Sequence, residues 1–264
     1  MKLGIDGKIA LVTGGCTGIG KAIASELARE GARVTVTSRM ESRVRNTLEE
    51  LNAISPGHDG FSLNITDEGE PTRLIEKIKQ KHGSLDIVVN NVGDTLGILD
   101  PLCSLNDWAR LFRLIVGVAI EVNNAVIPMM KERKWGRIVN ITAGAGMENS
   151  GPVPYSSLKA CFTAYSRSLG RVLALENTGI VVSAVLPGVV LTEEGHWSEV
   201  LKTRPEHAEK YLEDRTVLRR FGRPEEISPM VALLCSEHAS FCIGSIVPVE
   251  GGQARHYFQK VDDN

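Results

Sequence analysis

Thr13-Gly14-Gly15-Cys16-Thr17-Gly18-Ile19-Gly20 follows the apolar run Ile9-Ala10-Leu11-Val12 and leads into Ile19, Ile23 and Leu27, spaced four apart. A strand, a glycine-rich turn and a helix start leave backbone N–H groups pointing outward at the positive end of a helix dipole, which is an anion site. Glycine lets the chain turn tightly and lets a pyrophosphate approach the backbone with no Cβ in the way. Loose glycine patterns also occur in plain βα turns. The flanking strand and helix make this one a dinucleotide loop, with Gly14, Thr17, Gly18, Ile19 and Gly20 as its cofactor-binding residues.

Apolar runs and helical patterns alternate through the rest of the chain. Strand-like runs fall at residues 8–12, 33–38, 60–63, 85–90, 137–142, 180–186 and 246–249. Ile87-Val88-Val89 is apolar on both faces, as a parallel strand covered by helices on each side requires. Helical patterns occupy 18–30, closed by Gly31, and 41–53, broken by Pro56-Gly57. A further helix runs from a cap at Thr66 to His82, and another covers 104–133, where Pro128 is expected to kink it or end it early. Pro154 precedes a helix to about Glu176 with the face Leu158, Phe162, Tyr165, Leu169 and Val172, and Pro224 opens one to about Cys235. Residues 192–217 are polar with no steady period and read as a mobile lid, and the polar tail after Gly252 as frayed.

Seven strands alternating with helices predict an α/β fold: a doubly wound, Rossmann-type, mainly parallel sheet flanked by helices on both faces, with residues 1–264 as one domain. Ligand then belongs beyond the carboxyl ends of the strands, at the switch point beside the first. Asn90-Asn91, Thr142 and Pro187-Gly188 end strands and fall along that edge.

A net charge of −2 and a pI near 6.3 argue against a nucleic-acid or anionic-membrane surface. No apolar run looks long enough to cross a bilayer, and the first residues lack a signal-like apolar segment. Five cysteines without CxxC spacing read as reduced thiols of a cytoplasmic protein, and the six histidines show no metal-ligand spacing, so no metal is expected.

The choice of dinucleotide is read at the end of the second strand. A carboxylate there binds free ribose hydroxyls and repels a 2′-phosphate, whereas an arginine favours the phosphate. Here Ser38-Arg39 stands with no carboxylate until Glu41, so NADP(H) is expected over NAD(H). NAD(H) stays acceptable if Arg39 only stacks on the adenine.

Tyr155-Ser156-Ser157-Leu158-Lys159 places a phenol and an ammonium one helical turn apart on one face. Such pairs are usually solvated surface pairs. This one opens the helix after the fifth strand, beside the expected nicotinamide end of the cleft. An ammonium nearby is expected to lower the phenol pKa from its ordinary value near 10, as would oxidised nicotinamide. Tyr155 would then exchange a proton with an alcohol or carbonyl oxygen while hydride moves at carbon, and Lys159 would also hold the ribose hydroxyls.

Together these residues resemble the short-chain dehydrogenase/reductase family over about residues 8–252. Its TGxxxGIG loop is met by Thr13, Gly14, Gly18, Ile19 and Gly20, its NNAG segment by Asn90-Asn91-Val92-Gly93, and its YxxxK pair by Tyr155 and Lys159. Its PG-x-x-x-T segment runs from Pro187 and Gly188 through Val190 to Thr192, and Gly251-Gly252 closes the match. The resemblance implies an NAD(P)(H)-dependent oxidoreductase interconverting a secondary alcohol and a ketone on a small molecule, assembled as a homotetramer or dimer. It adds Asn91, Gly93, Pro187, Gly188, Val190 and Thr192 to the cofactor residues. The apolar faces around residues 111–126 and 158–172 are broad enough for the interface.

Three departures stand out. The family's adenine-contacting aspartate is Asn64, followed by Ile65, and the Asn64 amide oxygen can still accept from the adenine amino group. Its active-site asparagine falls on Ile115, counted from Trp108 and from Pro128. Its catalytic serine falls on Thr142-Ala143; Thr142, thirteen residues before Tyr155, is taken as the substitute donor and Ala143 offers none. These losses keep open a dinucleotide-binding sensor or scaffold without catalysis; a cofactor-dependent isomerase or dehydratase is a third reading. In the lid, His196 and Trp197 either cover the substrate or pack the lid onto the core.

Overall fold

The computed structural model describes residues 1–148 and 150–253. The strands are β1 Ile9–Val12, β2 Arg33–Ser38, β3 Asp59–Ser62, β4 Ile87–Asn90, β5 Gly136–Ile141, β6 Ile180–Pro187 and β7 Ile246–Val249. Among the described residues they form one seven-stranded sheet in the order β3-β2-β1-β4-β5-β6-β7, every pairing parallel. Because β1 lies between β2 and β4, the winding reverses there and opens a crevice at the strand ends.

Side-chain alternation along each strand assigns the two helix layers. Ala10 and Val12 point to one face, where α1 (Gly18–Arg29) brings Ile23 and Leu27, α2 (Glu41–Ile54) brings Leu51 and a late helix brings Val231. Ile9 and Leu11 point to the other, against Leu74 and Ile78 of α3 (Glu70–His82). Each large aliphatic side chain removed from water contributes roughly 1.5–3 kcal/mol, so the sheet is held chiefly by these two layers.

α4 (Leu105–Phe112) opens on Ser104, whose hydroxyl accepts from the Asp107 N–H at 3.2 Å. A π-helical turn, Arg113–Gly117, joins it to α5 (Val118–Arg133). The helix does not end at Pro128: Val126, Met129 and Met130 on either side are buried against the sheet and hold it together. The combined helix Leu105–Arg133 also corrects the expectation about membrane-length segments. It contains an apolar window of mean hydropathy 1.5, half of which is buried inside the fold. That apolarity is used against the sheet and against α6 (Val153–Leu175), where Leu111, Ile115 and Val116 meet Leu158 and Phe162.

Other expectations change locally. Thr66 does not cap α3, which begins at Glu70 behind Gly69 in the left-handed conformation; Thr66 instead donates to Asn64 Oδ1 at 2.9 Å. The lid is helical, with α7 (His196–Thr203) and α8 (Pro205–Arg215), whose Trp197 and Tyr211 pack on each other. The segment from Pro224 is broken into a turn, Pro224–Glu226, and α9 (Ser228–Leu234). Pro229 lacks an N–H and cannot continue a helix from Pro224. Beyond Gln253, the tail expected to fray lies outside the described residues.

Candidate active site

A cleft of about 2080 Å³ runs along the carboxyl ends of β1, β2, β4, β5 and β6, and every residue named above as a catalytic or cofactor candidate lines it. Its floor is the loop after β1. Gly14 and Gly18 take φ of +62° and +52°, which side chains other than glycine rarely adopt. A Cβ at Gly20 would lie 2.4 Å from both the Asn91 side-chain nitrogen and the Gly14 carbonyl. That approach exists because Asn91 Nδ2 donates to the carbonyls of Thr13 and Gly14, at 3.0 and 3.3 Å, while the Gly14 N–H donates to Thr37 Oγ1. Asn91 therefore shapes the loop. The cradle fits a pyrophosphate.

At the β2 end, Ser38 and the exposed Arg39 line the cleft, and Arg43 joins them from the first turn of α2. Arg43 lies four residues beyond Arg39, a spacing visible in the sequence but not used there. It forms an ion pair with Glu194 of the lid. Asn64 sits across from them with its side chain engaged, donating to Asp67 at 2.6 Å and accepting from Thr66, and Ile65 is buried beside it. Arg113 ties this loop to the π-helical turn by donating to the carbonyls of Thr66 and Asp67 at 2.8 and 3.0 Å.

At the other end stand Tyr155 and Lys159, in the first turns of α6. Lys159 Nζ is buried, donates to the Ile141 carbonyl at 2.9 Å and lies 5.6 Å from the centre of the Tyr155 ring. Gly93 leaves it room, since a Cβ there would come within 2.9 Å of Nζ. The electrostatics differ from the expected lowering of the phenol. Burial, with the Asp94 charge adding to it, pushes Tyr155 up to about 12, and burial pushes Lys159 down to about 7. Burial takes hydration from each charged form, and a carbonyl contact on Lys159 does not replace it.

The supporting groups are rearranged. Thr142 lines the cleft but is itself buried, and its hydroxyl donates to the Val185 carbonyl at 3.3 Å, so it is engaged with the sheet. Ala143 also lines the cleft and offers no donor. Ile115 packs with Leu158 and Phe162, and the neighbouring Leu114 faces the cleft instead. Beneath Lys159 lies a buried amide network. Asn90 Nδ2 donates to Asn123 and Asn140 at 3.0 and 2.8 Å, Asn140 donates to Ser166, and Asn123 to the Tyr165 hydroxyl at 3.1 Å.

The lid lies along the cleft. Trp197 packs on Tyr211 and Phe221 with ring centres 4.5 and 5.3 Å apart, and His196 stands edge-on to it at 5.4 Å. Trp197, His196 and Tyr211 also line the cleft, so the tryptophan both packs the lid and faces the cavity. Tyr211, Ser150 and Gln253 escaped the sequence reading, because nothing in a polar, aperiodic stretch marks which side chains fold back over a site.

The sheet order, the glycine cradle at its switch point and a phenol–ammonium pair at the strand ends define a Rossmann-type dinucleotide-binding protein. The sequence matches the short chain dehydrogenase family over residues 8–199, and the chain belongs to that family. It is 37% identical, over 96% of its own length and 99% of the relative's, to a 3-oxoacyl-[acyl-carrier-protein] reductase of Aquifex aeolicus. Its fold is similar to that of the L-sorbose reductase of Gluconobacter frateurii complexed with NADPH and L-sorbose, with a TM-score of 0.89 at 25% identity over 97% and 99% of the two chains. It is also similar to a 7α-hydroxysteroid dehydrogenase complexed with NADH and 7-oxo glycochenodeoxycholic acid, at TM-score 0.87 and 29% identity over 96% of each chain. An acyl thioester, a sugar and a steroid are unlike one another, so the shared scaffold does not select a substrate.

Proposed function

We propose that the protein is an NADP(H)-dependent oxidoreductase that interconverts a secondary alcohol and a ketone on a small molecule. The observation that carries this reading is one continuous cleft with Ser38, Arg39 and Arg43 at one end and Tyr155 with Lys159 at the other. The glycine loop would hold the pyrophosphate, and the two arginines a 2′-phosphate. Asn64 and Ile65 would lie against the adenine, and Gly93, Lys159, Pro187, Gly188, Val190 and Thr192 would hold the nicotinamide half. A bound nicotinamide supplies hydride for reduction and takes it back in oxidation. Tyr155 gives its phenolic proton to the carbonyl oxygen as that oxygen becomes an alkoxide, and recovers it in the reverse direction. The high pKa of the phenol suits the acid role, and Lys159, charged below about 7, lowers the cost of the phenolate left behind. The carbonyl-reducing relatives support this chemistry.

Measuring NADPH consumption over a broad carbonyl panel, beside a Tyr155→Phe variant, tests the reading. Turnover abolished in the variant is expected. No turnover on any compound by protein that binds NADPH would favour the second reading, a cofactor-binding sensor. That alternative draws on the absent donors at Ala143 and Ile115 and the engaged hydroxyl of Thr142.

We further infer a homotetramer or dimer working in the cytoplasm. Leu105, Phe112, Val172 and Leu175 remain exposed on the helices expected to pair, although Leu111, Leu158 and Phe162 turn inward. All five thiols are free, as a reducing compartment keeps them. Light scattering tests the assembly, and a monomer would refute it.

A further inference from the structure

Ala143 and Ile115 leave the substrate oxygen with Tyr155 as its one hydroxyl from the family pattern, since the Thr142 hydroxyl is engaged with Val185. The lid brings another. Val189 donates its backbone N–H to Gln253 Oε1 at 2.9 Å, and a backbone N–H can only donate, so the amide orientation of Gln253 is fixed. Its Nε2 therefore faces Tyr211 as a donor, at 3.2 Å from the phenol oxygen. Ser150 is close enough to the Tyr211 phenol to lower its pKa. Two hydroxyls that share one hydrogen bond retain one hydrogen between them, whichever donates to the other. With Gln253 occupying an acceptor position on the phenol, a hydrogen is left to be donated in either case, and both residues line the cleft. The pair is anchored at the reaction end. Gly151 follows Ser150, and a Cβ on it would be 3.5 Å from the Tyr155 ring; Gln253 is bonded beside Gly188. Burial pushes the Tyr211 phenol up despite the opposing charge of Arg215, which keeps it a protonated donor at neutral pH.

We propose that the hydroxyl of Tyr211, presented by the lid beside Ser150, donates to the substrate oxygen in place of the hydroxyl that Ala143 lacks. This rests on the oxidoreductase reading above. It makes Tyr211 a catalytic residue supplied by α8, so lid closure completes the donor set around the carbonyl.

The test uses full-length protein, NADPH and a carbonyl panel of ketoses, 3-oxo esters and cyclic ketones. On whichever compounds turn over, Tyr211→Phe is expected to lower kcat about ten- to a hundred-fold, with KM and NADPH affinity little changed, since one oxyanion donor is worth that order or more. Phenylalanine keeps the ring stack on Trp197. Adding Ala143→Ser to Tyr211→Phe is expected to restore most of the loss, which a merely structural role for Tyr211 would not allow. Ala143→Ser alone tests the idea without disturbing the lid: a gain below about ten-fold supports it, while any larger gain says no donor was present and overturns it. Unchanged kcat in Tyr211→Phe overturns the proposal alone. No wild-type turnover on any compound, with NADPH bound, overturns the oxidoreductase reading and the proposal with it.

Discussion

Lys159 donates to the backbone carbonyl of Ile141 at 2.9 Å, and this bond fixes the start of α6 against the last residue of β5. It also holds an ammonium in a pocket that strips its water, so its charge is costly near neutral pH.

The first prediction follows from that cost. Between about 7, its value in the fold, and 10.5, its value in the open chain, the unfolded protein binds a proton that the folded one does not. Stability therefore rises with pH across this window and is lost as pH falls through about 7. Urea midpoints measured from pH 6.5 to 9.5 should climb more steeply for the wild type than for Lys159→Met. Parallel curves would show that Lys159 is not depressed.

Tyr155→Phe removes the proton donor and leaves the ring. Loss of kcat by about a hundred- to ten-thousand-fold is expected, with NADPH affinity by fluorescence nearly unchanged. Loss of affinity in proportion to kcat would place Tyr155 in cofactor binding instead.

Arg39→Ala and Arg43→Ala should each weaken NADPH by about ten-fold or more while sparing NADH, because a charge-assisted hydrogen bond to a phosphate is worth about 1.5–3 kcal/mol. Titrating both cofactors against each variant separates the two. Equal losses for NADPH and NADH would argue that the arginines stack or pack rather than read the phosphate.

Asn123→Ala breaks the buried network at its helix side. It removes one of the two acceptors of Asn90 Nδ2 and the donor to Tyr165, while Asn90 Oδ1 is already buried without a partner. A loss of about 1–3 kcal/mol in a urea titration is expected. Stability unchanged within error would mean water replaces the amide.

The sheet and its switch point were legible because strand and helix periods are local. Ile87-Val88-Val89 and the glycine loop carry their own instructions, and the strands appear within a residue or two of where the runs lie. The lid was not legible. Its two short helices are stabilised by Trp197 closing on Tyr211 and Phe221, contacts made across a polar stretch with no steady period. Pro128 does not end the helix for a related reason: burial of its neighbours outweighs the helix bond that proline removes.

Sequence by itself determined the glycine loop, the alternation of strands and helices along the chain and the one-turn spacing of Tyr155 and Lys159, since each depends on residues close in the chain. Only the tertiary structure decided the rest. It turned the Thr142 hydroxyl into the sheet, buried Ile115 between helices, reversed the expected direction of the Tyr155 pKa and brought Arg43, Ser150 and Tyr211 to the cleft. Those outcomes depend on which groups distant in sequence exclude water from one another, and packing rather than period settles that.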